Sequence, residues 1–435
     1  MKKALILAYD FPPYVSVGGL RPYSWCKYFN KIGIYPIIVT RQWERQNSNP
    51  QKQYISASKS NEIIVNISTN ATIIRAPYFP NMPNRIFIKY GNSKYRFLRL
   101  ILAGYYEITQ YLFLNGPKKE LYNAAKSYLK ENEIDLIIAT GEPFVLFKYG
   151  QKLSKKFNIP WFADYRDDWI KNHSRKMNKN LFINLKLSLE AYIEKRILKN
   201  VTGITSVSRF LTEQIAHRIK CSNYQVIENG AELKYYKRTI ELIRDEFVIL
   251  YSGILYDLPY LNIFSEGFIS FFENLEQKHK NKIKIYFVGI EFNSNQATQL
   301  VEKMKEEYPE NIIIEKRKSE AVIAQYQLNA SVLLNMIAGD PSKGLIGAKT
   351  YNYAVTGNPV LTIPNVNNTK NDFFDGRDIF YLATKNSEVK EYLSNKFCNF
   401  IAGKSNKTSI SGDEKYLLSR EYNAVKYIDF IKKSL

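Results

Sequence analysis

Gly344-Leu-Ile-Gly347-Ala-Lys349-Thr-Tyr-Asn352-Tyr-Ala-Val-Thr-Gly357-Asn-Pro359-Val360 is the stretch on which the fold reading turns. Glycines open it, a helical run ends at Gly357, and a new apolar strand starts at Pro359. Loop, helix and strand in that order are the repeating unit of a parallel α/β sheet. Backbone N–H groups at the helix start, with Lys349 one turn in, suit a diphosphate held without a metal. The plain alternative is an ordinary connecting unit that binds nothing.

The same alternation extends outward in both directions. Downstream of a charged stretch, strand-like runs fall at 247–252, 282–289, 312–315, 330–335 and 359–362. Upstream they fall at 3–9, 36–40, 71–75, 135–139, 160–164 and 203–207. Short continuous Val/Ile/Leu runs with helices between them mark strands buried on both faces. The expected class is therefore α/β, with two Rossmann-like, doubly wound parallel sheets. A chain of 435 residues suits two domains. The turn signal Ile227-Glu-Asn-Gly230, followed by charge, puts the division after 235. That gives an N-terminal domain over 1–235, a C-terminal domain over 236–415 and a closing helix over 416–435. The closing helix carries Leu417, Leu418, Tyr422, Val425, Tyr427, Ile428 and Ile431 as its apolar positions.

Composition narrows the function. Hydrophobic residues make up 45% of the chain, enough for two cores. Cys26, Cys221 and Cys398 are odd in number and far apart, so neither a disulfide framework nor a zinc knuckle is expected. His173, His217 and His279 lack metal-ligand spacing, and no Asp-x-Asp occurs. Neither a metal nor a cofactor is expected. Net charge is +21, from 62 Lys+Arg against 41 Asp+Glu, a field that favours polyanions or phosphorylated small molecules. No nucleic-acid motif accompanies it, so nucleic acid is not an expected partner. Met-Lys-Lys opens a short apolar run without a small-residue cleavage site, and a cytoplasmic location is expected.

Residues 84–115 break the alternation. They mix Arg96, Arg99 and Lys89 with Phe, Tyr, Leu and Ile. That composition suits a helix lying in a membrane interface, which would place the protein peripherally on the anionic inner face of the plasma membrane. The alternative is a helical excursion packed on the first domain.

Two further segments carry chemistry. Asp10-Phe-Pro-Pro leads to Gly18-Gly19-Leu20-Arg21-Pro22 at a strand-to-helix joint, where glycines let backbone approach a ligand. Trp161-Phe-Ala-Asp164-Tyr-Arg166-Asp167-Asp168-Trp169 follows a strand, at the end where open α/β sheets bind ligands. Its carboxylates beside one arginine suit sugar hydroxyls and acid–base work; a helix cap with a local ion pair would use the same residues.

Taken in order, the segments resemble the GT-B-fold retaining glycosyltransferases of family 4, used for cell-surface polysaccharides. The resemblance rests on Phe11-Pro-Pro with Gly18-Gly19 and Arg21, on Ala163–Trp169, on Ser206-Val-Ser-Arg-Phe210, on Ile227–Gly230 and on Gly344–Val360. It implies two domains facing a cleft, with the last helix crossing back onto the first. It implies a nucleotide-diphosphate sugar as donor and a glycan or lipid-linked acceptor. Donor-binding positions would be Gly18, Gly19, Arg21, Gly253, Ile346, Gly347, Ala348 and Asn352. Catalytic positions would be Arg166 and Asp167 toward the donor sugar and Lys349 toward the leaving diphosphate. Asp164 and Trp169 would lie on the acceptor side. Front-face attack, with the leaving phosphate taking the acceptor proton, is the implied chemistry. The chain departs from the family's pattern at three points. Gly344 and Asn352 stand where two glutamates are common. Gly253 is followed by Ile254-Leu-Tyr-Asp-Leu-Pro-Tyr-Leu261, without the usual basic pair. Two rival readings remain open: a non-hydrolysing nucleotide-sugar epimerase, and a catalytically inactive sugar-nucleotide-binding partner in a polysaccharide assembly complex.

Overall fold

The computed structural model describes residues 1–14, 16–44, 50–170, 181–237, 245–255, 258–291, 296–337, 346–364, 373–374 and 376–435. The chain divides into two compact units, Met1–Glu228 with Asn423–Leu435, and Asn229–Tyr422.

The first unit is built on eight strands. They are β1 (Lys2–Leu7), β2 (Ile34–Arg41), β3 (Ile64–Ile67), β4 (Thr72–Ala76), β5 (Leu136–Gly141), β6 (Trp161–Tyr165), β7 (Gly203–Ser206) and β8 (Tyr224–Val226). Their order across the sheet is β3-β4-β2-β1-β5-β6-β7-β8. Every pairing is parallel except β3 with β4. Ala4 to Leu7 of β1 and the whole of β5 are buried, as strands covered on both faces must be. Helices Lys119–Glu131 and Val145–Phe157 cover one face through Leu121, Ala125, Leu146 and Leu153. The other face is covered by Trp25 and Phe29 together with Tyr427, Ile428 and Ile431 from the end of the chain. Phe430 stands edge-on to Phe162 at 5.8 Å.

The second unit is built on six parallel strands: β9 (Phe247–Ser252), β10 (Ile283–Val288), β11 (Ile312–Glu315), β12 (Val332–Ile337), β13 (Val360–Pro364) and β14 (Phe380–Leu382). Their order is β11-β10-β9-β12-β13-β14. The first strand of the unit is central, the next two lie to one side and the last three to the other, which is the doubly wound Rossmann order. The expected class of two parallel-sheet α/β domains is the observed one.

Local differences have local causes. β3, β8 and β14 were not expected. They are three or four residues long, too short for a periodic pattern, and β3 is exposed throughout. The closing helix expected over 416–435 is interrupted: one helix spans Gly412–Leu417 and the next Arg420–Ser434. The break is held by Ala231, whose N–H donates to the Leu418 carbonyl at 2.8 Å while its carbonyl accepts from Arg420 N–H at 2.9 Å. Segment 84–115 contains two helices, Met82–Tyr90 and Arg96–Phe113. Pro83 and Thr109 alone are buried along them, although Tyr111 packs on the first unit's core against Trp169, centroids 5.1 Å apart.

Candidate functional site

A doubly wound sheet binds ligands beyond the carboxyl ends of its strands, where the strand order reverses. In the first unit that point lies between β1 and β5, and in the second between β9 and β12. Each carries a cluster of the residues singled out above.

At the second unit's switch point, β9 ends in Ser252 and Gly253. Gly253 adopts a φ of 114°, a left-handed conformation that side-chain-bearing residues avoid. A Cβ placed there would lie 3.7 Å from Lys349 Nζ, so the ammonium stands beside bare backbone. Lys349 belongs to the helix Ala348–Ala354, which follows β12. Its Nζ donates to the Tyr251 hydroxyl at 3.0 Å and sits 4.1 Å from that ring's centroid. Tyr251 in turn donates to the Ile254 carbonyl at 2.6 Å, which fixes the hydroxyl's free lone pairs toward the lysine. Among the described residues no carboxylate pairs with Lys349. Although the side chain as a whole keeps partial exposure, burial of its ammonium pushes the pKa down to about 7. A cation in such a place gains most from an anion brought to it. Asn352, one turn further on, lies on the same face as Lys349. Its Oδ1 is buried and has no hydrogen-bond partner among the described residues. Tyr353 closes the back of the site, its hydroxyl lying 3.1 Å from the Ser252 hydroxyl. Ile346 and Ala348 are half-buried, while Gly347 is exposed with nothing near an added Cβ. Gly344, the other position in this loop, lies outside the described residues.

At the first unit's switch point, Ser16 caps the helix Val17–Tyr28. Its hydroxyl accepts from Gly19 N–H at 3.1 Å and donates to Asp10 at 2.8 Å. Gly18 lies against the Arg166 guanidinium, where a Cβ would come within 1.3 Å of Nη1. Only glycine allows that approach. Arg166 is held by Nε to the Gly141 carbonyl at 2.8 Å and by Nη2 to the Glu142 carbonyl at 2.6 Å. Nη1 lies 4.0 Å from Asp10. Asp167 is exposed as a residue, yet the protein packed around its carboxyl raises the pKa against the lowering pull of Arg166.

Three predicted positions turn inward instead. Arg21 and Asp164 form a buried ion pair at 2.6 Å. Asp164 also accepts from Thr140 at 2.9 Å and Thr205 at 2.7 Å, and Arg21 also donates to the Ile227 carbonyl at 2.7 Å. The pair ties the first helix to β5, β6, β7 and the chain after β8, and its polar atoms are engaged there. Trp169 is buried, stacked on Phe144 with centroids 5.1 Å apart. Asp168 pairs with Arg218 at 2.9 Å, and Glu194 joins them at 2.7 Å.

Residues not singled out from sequence join each cluster. Tyr251 gave no signal, since buried tyrosines are common in strands; Tyr353 lay in the Gly344–Val360 stretch that carried the resemblance but was given no role. Lys118 and Asp10 complete the first cluster. Lys118 lay in Gly116-Pro-Lys-Lys, which reads as a basic turn. Among the described residues, no three His, Cys, Asp or Glu side chains gather as metal ligands.

No protein-family model matches the chain, and no curated protein matches it in sequence. Solved structures do match over its whole length. A glycosyltransferase from Rickettsia africae aligns with 100% of this chain and 98% of its own at 12% identity and a TM-score of 0.61. Sucrose-phosphate synthase from Thermosynechococcus elongatus aligns with 100% and 99% at 15% identity and a TM-score of 0.58. HepE from Anabaena, solved with UDP-glucose, aligns with 100% of both chains at 11% identity and a TM-score of 0.56. At such identities the likeness is one of fold: the chain has the two-Rossmann-domain GT-B architecture.

Proposed function

We propose that the protein is a glycosyltransferase that takes a sugar from a nucleoside diphosphate donor, with retention and without a metal, and passes it to a glycan or lipid-linked acceptor. The observation that carries this reading is Lys349. It is a partly buried cation at the second unit's switch point, without a carboxylate partner among the described residues, beside the bare backbone of Gly253 and near Asn352, whose Oδ1 has no hydrogen-bond partner among those residues. A diphosphate supplies the missing negative charge, and a ribose hydroxyl supplies a donor to Asn352. When the glycosidic C1–O bond breaks, negative charge grows on the leaving diphosphate, and a fixed ammonium stabilises that state more than the ground state. In the first unit, Arg166 and Asp167 are the candidates for work on the sugar. The full-length matches to a glycosyltransferase and to sucrose-phosphate synthase support the reading, as does HepE's complex with UDP-glucose.

The test is a panel of nucleotide sugars scored by thermal stabilisation in excess chelator, followed by donor turnover with and without candidate acceptors. A UDP-sugar that stabilises the native protein but not Lys349→Met supports the site. Stabilisation by no member of the panel rejects it. Binding without turnover would favour the inactive-partner reading.

The helices Met82–Tyr90 and Arg96–Phe113 support a peripheral seat on the anionic inner face of the plasma membrane. Phe97 is 79% exposed and Phe113 70%, and Leu100, Ile101 and Tyr105 are also exposed. Arg85, Lys89, Lys94 and Arg96 stand among them, also exposed. Apolar side chains seated at the acyl boundary with cations at the headgroups are the chemistry of an interfacial helix. No helix of the described residues is long and apolar enough to cross a bilayer. Flotation with phosphatidylserine vesicles should be lost on changing Phe97 and Leu100 to Ser and Arg96 to Glu. Undiminished flotation of that variant would remove the proposal.

A further inference from the structure

The first unit holds a second lysine ammonium with no ion-pair partner among the described residues, and its surroundings have the chemistry of a sugar site. Lys118 lies immediately before the helix Lys119–Glu131, with its Nζ 5.2 Å from the centroid of the buried Tyr9 ring. Among the described residues it has no carboxylate within ion-pair distance. The charges that reach it are Arg41, Asp10, Glu142 and Glu107. Glu107 is paired with Lys186 at 2.8 Å. Arg41 is engaged by the Tyr9 hydroxyl and the carbonyls of Gln53, Tyr54 and Ser56. Asp10 and Glu142 act on the ammonium from beyond ion-pair distance, and Arg166, 4.0 Å from Asp10, also has Asp167 acting on it. Burial and Arg41 push the Lys118 ammonium down to about 8.

Asp10 is the second half of the arrangement. One of its carboxylate oxygens accepts from Ser16, while Oδ1 is buried with no hydrogen-bond partner among the described residues. Aromatic rings flank the same end of β1. Tyr14 stacks on Trp43 with centroids 4.1 Å apart, and Tyr54 stands 5.5 Å from Tyr9. Apolar rings with a few convergent polar groups are the usual lining of a small-molecule site.

We propose that this end of the first unit binds an anionic sugar, with Lys118 taking its carboxylate or phosphate, Asp10 Oδ1 accepting from a hydroxyl, and the half-buried Tyr14, backed by the buried Trp43, facing the ring. Calling that sugar the acceptor rests on the glycosyltransferase reading; binding the sugar does not. The anion pairs directly with an ammonium that no described carboxylate reaches, and the hydroxyl satisfies the orphan oxygen. A neutral sugar would satisfy Asp10 alone and leave Lys118 without that direct pairing. The acceptor is accordingly a uronic acid or a phosphorylated sugar.

The test uses the full-length protein without nucleotide, titrated with glucuronic acid, glucose 6-phosphate and glucose by ligand-observed NMR. The expected result is that one of the anionic sugars binds at least about ten-fold tighter than glucose, the scale of a charge-assisted hydrogen bond. Tighter glucuronic acid assigns a carboxylate; tighter glucose 6-phosphate assigns a phosphate. Lys118→Met should erase the preference, Lys118→Arg should retain it, and Lys349→Met should leave it intact. In the native protein the preference should fade between pH 7 and pH 9.5 as the ammonium loses its proton, a readout that needs no variant. An absent preference overturns the proposal, as does one that survives Lys118→Met. A preference erased by Lys349→Met would place the anion in the second unit and overturn it too. UDP binding is measured separately, so failure here and failure of the donor reading are distinct results.

Discussion

Changing Lys349 to Met should abolish a proton uptake that accompanies nucleotide binding. In the ligand-free protein the ammonium's pKa is pushed down to about 7 from an ordinary value of 10.5, because burial disfavours its charge and, among the described residues, its hydrogen bond is to the neutral Tyr251 hydroxyl. A diphosphate seated beside Gly253 restores the charged form and raises the pKa. The sign then follows. A group whose pKa rises on binding contributes fully below its free value, and the contribution is lost as pH climbs toward its bound value. UDP affinity should therefore be level with respect to this group below about pH 6 and fall by up to about ten-fold per pH unit above about pH 7. Each such unit is about 1.4 kcal/mol. At pH 7 the lysine is about half protonated, so binding takes up about half a proton from solution. Calorimetry in two buffers of different ionisation enthalpy counts that proton directly. Lys349→Met should lose both the uptake and the slope, leaving the titration of the nucleotide's own phosphate near pH 6 as background. Native protein without proton uptake at pH 7, or a variant with the native slope, would show that the phosphates do not meet Lys349.

Other expectations are simpler. Asp164→Asn leaves the Arg21 guanidinium buried against a neutral partner and should cost about 3–5 kcal/mol in unfolding free energy by urea titration; a loss under about 1 kcal/mol would mean that Arg21 finds another partner. Asn352→Glu should tighten UDP binding and Asn352→Ala weaken it, each by about 1–2 kcal/mol, since a carboxylate accepts hydroxyl hydrogen bonds more strongly than an amide; unchanged affinity in both would place the ribose elsewhere. Donor turnover should persist in excess chelator, and loss reversed only by magnesium or manganese would contradict a metal-independent site. Gly18→Ala should lower turnover sharply while leaving UDP affinity within about two-fold, because the new methyl displaces Arg166 and not Lys349.

The sequence by itself determined the architecture. Strands buried on both faces must be continuous apolar runs, and runs such as Phe247–Ser252 and Leu136–Gly141 stand out between amphipathic helices without reference to any partner. Gly253, at the end of such a run, was legible for the same reason, because strand ends and glycines are local features. What each polar residue does was decided by tertiary structure. Arg21 and Asp164 both looked available from sequence, but strand order brings them together across 143 positions into one buried pair. Trp169 sits beside the polar Arg166 and Asp167 in sequence, yet the stack of Phe144 draws it into the core. The interruption before Arg420 depends on Ala231, far away along the chain. Lys349 was legible from its place behind a glycine loop and Lys118 was not, but for both it is the assembled structure that sets a tyrosine ring beside the ammonium and, among the described residues, leaves no carboxylate at ion-pair distance. Charge compensation depends on which side chains share a space of a few ångströms, and that is fixed only when the sheets are assembled.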